Sequence, residues 1–269
     1  SRSICYNKYG QLLKDIMNYI WSGKHPNLFI HDNGLVYSNG RDHAITWMNS
    51  SKNGRPIIPR SGYIVEFNAL WYNALKFFEQ ILSENEGEDN AVLAQKATEY
   101  AEKAAESFKE VFLNEYGYLL DYVDGQMMDW SVRPNQLFAI ALDFSPLNMK
   151  ERKSVLDICT KELVTPKGIR SLSPKSGGYN PMYVGPQTQR DYAYHQGTAW
   201  PVLTGFYLEA YLRVYKMSGV NYIERQLIGF EEELFYHCIG TIPELFDGNP
   251  PFHCLLYTSP SPRDRSLSR

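Results

Sequence analysis

Four loop segments of this 269-residue chain set carboxylates beside Trp, His, Arg, Asn and Gln. They are ITWMNSSKNGRPIIPRSGYIVEFNALWYNAL (45–75), YVDGQMMDWSVRPNQ (122–136), QRDYAYHQGTAWP (189–201) and TIPELFDGNPP (241–251). Residues of these types suit hydrolysis of a glycosidic bond. That reaction needs two carboxyl groups facing each other across the bond, one protonating the leaving oxygen and the other activating water or attacking directly. Each segment lies at the mouth of a helix, where unpaired N–H groups gather polar ligands. Taken singly, each residue has a plainer reading: an Asp before a helix is usually a cap, a buried Trp is usually core, and an Arg-Pro pair usually braces a loop. Asp121, Asp124 and Asp129 are spaced as cation ligands could be, but the loop lacks the ordered oxygen pattern of a calcium loop, so no metal is expected there.

The elements that must position these loops are helical. Residues 7–22 place Tyr9, Leu12, Leu13, Ile16, Ile20 and Trp21 on one face at three- and four-residue spacing. A loop of some forty residues follows; loops that long are unusual in a compact domain unless they carry function. Helices are predicted from Val65, over 90–113 with Ala97, Ala101, Ala104, Phe108, Val111 and Phe112 in one stripe, after Pro134, over about 148–163, 198–216 and 220–238. Asp89 or Asn90 is the expected cap of the second of these. A second long loop covers 165–196. No alternating strand run of useful length is visible, so the expected class is all-α, built of helical hairpins whose loops gather at one end. No regular period marks a repeat scaffold.

Composition bounds the rest. Hydrophobic residues make up 43% of the chain and charged residues 21%, which supports a large core, and a net charge of −3 gives no basic face for nucleic acid. Twenty Tyr and five Trp suit either a large core with amphipathic edges or a cleft in which flat rings stack on sugar faces. Cys5, Cys159, Cys238 and Cys254 lack CxxC spacing and read as thiols in a reducing compartment. No apolar run approaches the roughly 18 residues of a membrane span. No signal peptide is visible, and a cytoplasmic location is expected. The tail from Cys254 (CLLYTSPSPRDRSLSR) is Ser/Pro/Arg-rich and resembles a translated sequencing adapter, so 1–253 is read as the domain and 254–269 as a non-native or disordered tail.

Together, the ordered motifs TWM, GRPIIPR, VEFNALWYNAL, SVRPNQLFA, YHQGTAWP and PELFDG, with HPNLFIHDNGLVYS ahead of them, resemble the bacterial and archaeal glycogen debranching enzymes over roughly 7–252. The resemblance implies an (α/α)6 toroid, here incomplete at both ends, with the site in the cleft at one end and a β-rich domain preceding it. It implies an inverting amylo-α-1,6-glucosidase acting on a branched α-glucan such as glycogen or a limit dextrin, with no cofactor. Carried over residue by residue, the general base matches Glu244. The general acid of the T-W-M-D motif falls on Asn49, a departure, because an amide has no proton to give. Either another carboxylate of the same mouth acts, with Asp42 and Glu66 nearest in sequence, or the protein binds glucan without turnover. Substrate-holding positions match Trp47 and Trp71 for stacking, and Arg60, Asn68, Arg133 and Gln136 for hydroxyls. His195, Gln196 and Trp200 come from YHQGTAWP, a motif shared with other (α/α)6 enzymes of trehalase or rhamnosidase type; their alternative role is a polar network bracing the loops.

Overall fold

The computed structural model describes residues 2–236 and 240–256. Nine helices are found among them: α1 (Arg2–Trp21), α2 (Val65–Ser83), α3 (Glu88–Phe112), α4 (Leu137–Ala141), α5 (Met149–Leu163), α6 (Gln187–Ala193), α7 (Val202–Tyr215), α8 (Val220–Glu231) and α9 (Glu233–Tyr236). α2 and α3 form an extensive antiparallel hairpin. The expected stripe explains it, extended by Ala94: Ala94, Ala97, Ala101 and Ala104 are buried and let Val65, Ala69, Leu75 and Phe78 of α2 come close, with Phe108 and Phe112 filling the end and Val111 partly buried. α4 packs on α2, α5 and α7, which carries one continuous core across the helices.

Local signals fix several ends. Asn148 and Glu151 form a reciprocal capping box at the start of α5. The α3 start differs from expectation: the helix begins at Glu88 after Gly87, whose φ of 148° suits glycine. Asn90 is buried inside the first turn, and its amide donates to Tyr6 and to the Asn85 carbonyl instead of capping. α6 was not expected, because its seven residues sit inside a Gly- and Pro-rich loop. The helix expected from 198 starts at Val202, since Ala199 and Trp200 pair as a strand; α8 and α9 cover the stretch expected as one helix from 220, whose last residues lie outside those described.

The all-α expectation needs one correction. Among the described residues there are twelve strands of two or three residues, too short to show alternation in the sequence. β1 (Leu28–Ile30), β2 (Val36–Ser38), β5 (Gly62–Ile64), β6 (Tyr122–Asp124) and β7 (Met127–Met128) form one antiparallel sheet in that order. β3 (Ser51–Lys52) and β4 (Arg55–Pro56) form a hairpin. β8 (Val164–Thr165), β9 (Gly168–Arg170), β10 (Ala199–Trp200), β11 (Leu245–Phe246) and β12 (Cys254–Leu256) form a second sheet in the order β12-β11-β10-β9-β8. These ladders pin the long loops to the helices and to one another. Gly62 sits against β6 with φ 90°, where an added Cβ would meet the Val123 carbonyl at 2.2 Å. The stretch read as a tail from Cys254 therefore contributes an edge strand with its first three residues; residues 257–269 lie outside those described.

Candidate active site

The base of the site is a buried ionic network. Arg60, 2% exposed, donates from Nε to Asp121 Oδ2 at 2.7 Å, and from Nη1 and Nη2 to both oxygens of Glu66. Asp121 Oδ1 accepts from Nη2 of Arg60 at 3.1 Å and from the Asn135 amide at 2.7 Å. Burial pushes the Asp121 carboxyl up, and the positive Arg60 beside it pulls the other way. The two carboxylates in turn hold Arg60 firmly in its charged form. A rigid guanidinium fork can satisfy two carboxylates at once, which a lysine cannot. The network ties the entry to α2 (Arg60, Glu66), the approach to β6 (Asp121) and the turn before α4 (Asn135) into one block.

Asn135 passes that order upward. With its amide nitrogen committed to Asp121, its oxygen must face the other way, and it accepts from Trp47 Nε1 at 2.6 Å. The Trp47 ring then meets His195 edge-on at 5.0 Å and Trp200 at 5.3 Å, while His195 stacks on Trp200 at 5.0 Å. Tyr194 closes the aromatic group, 4.6 Å from His195 and 4.9 Å from Trp200. Its hydroxyl donates to Glu244 Oε1 at 2.7 Å. The other oxygen, Glu244 Oε2, is shielded from solvent yet accepts from no described residue. A carboxylate oxygen shielded without a partner is costly, and such groups in native proteins call for a reason. The loop that carries Glu244 is clamped in place: Gly248 N–H donates to the Pro181 carbonyl, and a Cβ on Gly248 would lie 1.8 Å from the Gly197 carbonyl.

His195 joins the first and third loop segments. Its Nε2 accepts from the backbone N–H of Asn49 at 3.2 Å, so in the neutral ring the proton is on Nδ1. Burial, with the positive Arg133 and Arg60 nearby, pushes its pKa down to about 3, which keeps the ring neutral. Ser50 Oγ fixes the same junction by donating to the Asp191 carbonyl at 2.6 Å. Arg133 binds the turn from below through the Ser171 and His195 carbonyls and Gln196 Oε1.

The structure thus sorts the expected residues. Glu244, Trp47, Asn49, His195, Gln196 and Trp200 come together around Tyr194. Glu244, Trp47 and Gln196 are partly exposed and Asn49 is open, while His195 and Trp200 are buried and shape the wall. His195 links two of the loop segments through the Asn49 N–H. Arg60, Asn68, Trp71, Arg133 and Gln136 need correcting as sugar contacts, since all five are buried and spent on the protein itself. Asn68 bonds both backbone groups of Val36, Trp71 Nε1 donates to the Gly34 carbonyl, and Gln136 bridges Leu119 and Arg133. Glu66 is corrected likewise, because both its oxygens are occupied by Arg60. Asp42 is exposed. Asp124 is engaged by Tyr37 and Arg41, Asp121 by Arg60 and Asp129 by the Ser131 N–H, while Arg133 Nε lies 3.9 Å from both Asp121 and Asp129.

Sequence reasoning missed Asn135, Tyr194 and Asp247. Tyr194 sits in YHQGTAWP and Asp247 in PELFDG, so both lay inside motifs already singled out. Asp247 is buried, its Oδ1 accepts from Tyr183 N at 2.8 Å, and burial pushes its carboxyl up. Cys5 and Cys159 are free thiols, and burial pushes Cys159 well up, which makes it inert; Cys238 lies outside the described residues. Among the described residues no helix is long and apolar enough to cross a membrane, and no group of three potential ligands could hold a metal ion.

Two carboxylates of the same loop, Glu244 and Asp247, each keep one shielded oxygen without a partner, Glu244 beside the aromatic wall. The amylo-alpha-1,6-glucosidase family profile matches residues 3–255. The chain belongs to that family. A glycogen debranching enzyme of Saccharomyces cerevisiae is 26% identical over 239 residues, which cover 72% of this chain and 15% of that protein. The chain therefore spans a small part of its curated relative. Among solved structures, a sialidase aligns with TM-score 0.66 at 11% identity over 91% of this chain and 22% of the other. The neutral trehalase Nth1 of Saccharomyces cerevisiae aligns with TM-score 0.54 at 14% identity over 69% of this chain and 34% of the other. These likenesses support a helical glycosidase fold.

Proposed function

We propose that this protein is a glycoside hydrolase of the debranching type. It removes α-1,6-linked glucose stubs from a branched α-glucan, by inversion, in a cleft at one end of an (α/α)6 toroid. The observation that carries the reading is Glu244: one oxygen held by the Tyr194 hydroxyl, the other shielded and unclaimed beside Trp47. In this reading Tyr194 orients the carboxylate, and Oε2 takes a proton from the attacking water. Trp47 offers a ring to an apolar sugar face, and Gln196 a side-chain amide to a hydroxyl.

The proton for the leaving oxygen is the distinctive feature. Asn49 occupies the position where the family resemblance expects a carboxylic acid. Of the two replacements suggested by the sequence, Glu66 is bound by Arg60, whereas Asp42 is exposed on the loop five residues before Trp47 and is the candidate put to the test. Asn49 also favours a second reading, glucan binding without turnover. The test is glucose release from phosphorylase-limit dextrin by wild type, Asn49→Asp and Asp42→Asn. The hydrolase reading expects release by wild type, loss in Asp42→Asn, and a gain in Asn49→Asp of up to about 10²-fold, the lower end of what a positioned acid contributes. Glycogen binding with no release by wild type or Asn49→Asp establishes the second reading.

A further inference from the structure

The stretch SGGYNPMYVGP of the second long loop takes no part in the chemistry assigned to the site, yet three of its residues grip the loop that carries Glu244. Tyr179 Oη donates to Asn249 Oδ1, the Pro181 carbonyl accepts from Gly248 N–H, and Tyr183 N–H donates to Asp247 Oδ1, each at 2.8 Å. The third tie differs from the others in using an ionisable group with no access to water. Asp247 is 0% exposed, and its second oxygen, Oδ2, is shielded without a partner. A half-satisfied buried carboxyl is a costly way to hold a loop, so its placement calls for a reason. Burial pushes this carboxyl up, against the pull of the Tyr183 N–H and of His253.

Direct contacts run from Asp247 to Glu244 through two tyrosines. The buried Tyr183 ring lies 5.6 Å from the Tyr194 ring, and the Tyr194 hydroxyl donates to Glu244 Oε1 at 2.7 Å. Burial pushes the Tyr183 phenol up, Arg190 pulls it down, and Asp191 and Glu244 add to the rise, which puts Glu244 within electrostatic reach of that ring. Tyr194 has three ring neighbours: Tyr183, His195 at 4.6 Å and Trp200 at 4.9 Å. His195 and Trp200 belong to the same YHQGTAWP segment as Tyr194. Tyr183 is the neighbour that comes from another segment, and that segment is tied to the Glu244 loop. It therefore sets where the Tyr194 ring stands relative to the carboxylate.

Building on the hydrolase reading, we propose that Asp247 is a positioning residue for Glu244. It fixes the Tyr183 backbone, Tyr183 seats the Tyr194 ring, and the Tyr194 hydroxyl aims the Glu244 carboxylate at the attacking water. The role needs an acceptor oxygen at the Oδ1 position and a side chain of this size. It does not need a negative charge, and nothing among the described residues donates to Oδ2 to hold one. An asparagine meets both needs, whereas an alanine meets neither.

The experiment measures kcat and KM for glucose release from phosphorylase-limit dextrin in the full chain, for Asp247→Ala, Asp247→Asn, Tyr194→Phe and Asp247→Ala combined with Tyr194→Phe. Asp247→Ala lowers kcat about tenfold with KM unchanged, the low end of what a hydrogen bond to a charged group contributes. Asp247→Asn restores kcat to the wild-type level. With Tyr194→Phe in place, Asp247→Ala costs little more, because the two residues act through one contact. A wild-type kcat in Asp247→Ala, an Asp247→Asn as impaired as the alanine variant, or fully additive losses would each overturn the proposal. If Asp247→Ala shows no cooperative melt, Tyr183→Ala replaces it: the Asp247 bond to the backbone stays, the same fall in kcat is expected, and an unchanged kcat overturns the proposal. If wild type releases no glucose, the hydrolase reading fails on its own. The positioning is then read by 19F NMR of 3-fluorotyrosine at position 194. Its resonance moves in Glu244→Gln and in Asp247→Ala and stays in place in Asp247→Asn; a resonance unmoved by Asp247→Ala overturns the proposal.

Discussion

Arg60→Met tests whether the buried network is what holds the site together. The substitution keeps an unbranched apolar stem and removes the donors that serve Glu66 and Asp121, both 2% exposed. Breaking a buried ion pair by deleting one partner costs about 3–5 kcal/mol, because the remaining charge is left uncompensated. At about 2–4 °C per kcal/mol for a chain somewhat smaller than this one, the midpoint of thermal unfolding should fall by about 6–20 °C. The loss should depend on pH in a definite direction. Burial already pushes Asp121 up, and deleting Arg60 removes the stronger of the two cations that oppose this, the other being Arg133. A carboxyl raised in the folded state is fully stabilising only below its unfolded value, about 3.9, and loses that contribution as pH rises through the folded value. The deficit of the variant should therefore be larger at pH 8 than at pH 5. Neutralising the stranded carboxylates, in Arg60→Met with Glu66→Gln and Asp121→Asn, should recover at least half of it. The assay is circular dichroism melting at the two pH values. A fall below about 2 °C, or an equal deficit at pH 5 and pH 8, would refute the reasoning.

Two further outcomes follow from the same geometry. His195 has a pKa pushed down to about 3 from an unfolded value of about 6.5, so its neutral form stabilises the fold fully above pH 6.5, and that contribution is lost as pH falls toward 3; its ring resonances should not titrate by NMR between pH 8 and pH 5, and a midpoint near 6.5 would show that the ring is not enclosed as described. Glucose release should rise in Asn49→Asp and vanish in Asp42→Asn, measured on limit dextrin, whereas an Asp42→Asn variant as active as wild type would remove Asp42 from the acid role.

The sequence shows the helices well because their signal is repetitive. The alanines and phenylalanines of α3 recur on one face of a 25-residue helix, and the α5 cap is a local pair, so both could be read without tertiary context. Strands of two or three residues carry no period, so the two sheets that pin the loops were invisible. The site was half legible. Ordered motifs brought Trp47, Asn49, His195 and Glu244 to one place, but residue type alone cannot separate a sugar-facing Arg from a bracing one. Arg60, Asn68, Arg133 and Gln136 have the donors a sugar needs and spend them on the protein's own backbone and carboxylates. Asn135 lay inside SVRPNQLFA but was not singled out, since its role depends on Asp121 and Trp47 arriving from distant segments.

The account stands most directly on Glu244. Glucose release from phosphorylase-limit dextrin is to be measured for wild type and Glu244→Gln, with glycogen affinity measured in parallel. The amide keeps the shape and can still accept from Tyr194, but it cannot take a proton from water. The account predicts release by wild type, a loss of about 10²-fold or more in the variant, the scale of general base catalysis, and unchanged affinity. Equal release by both proteins would contradict it.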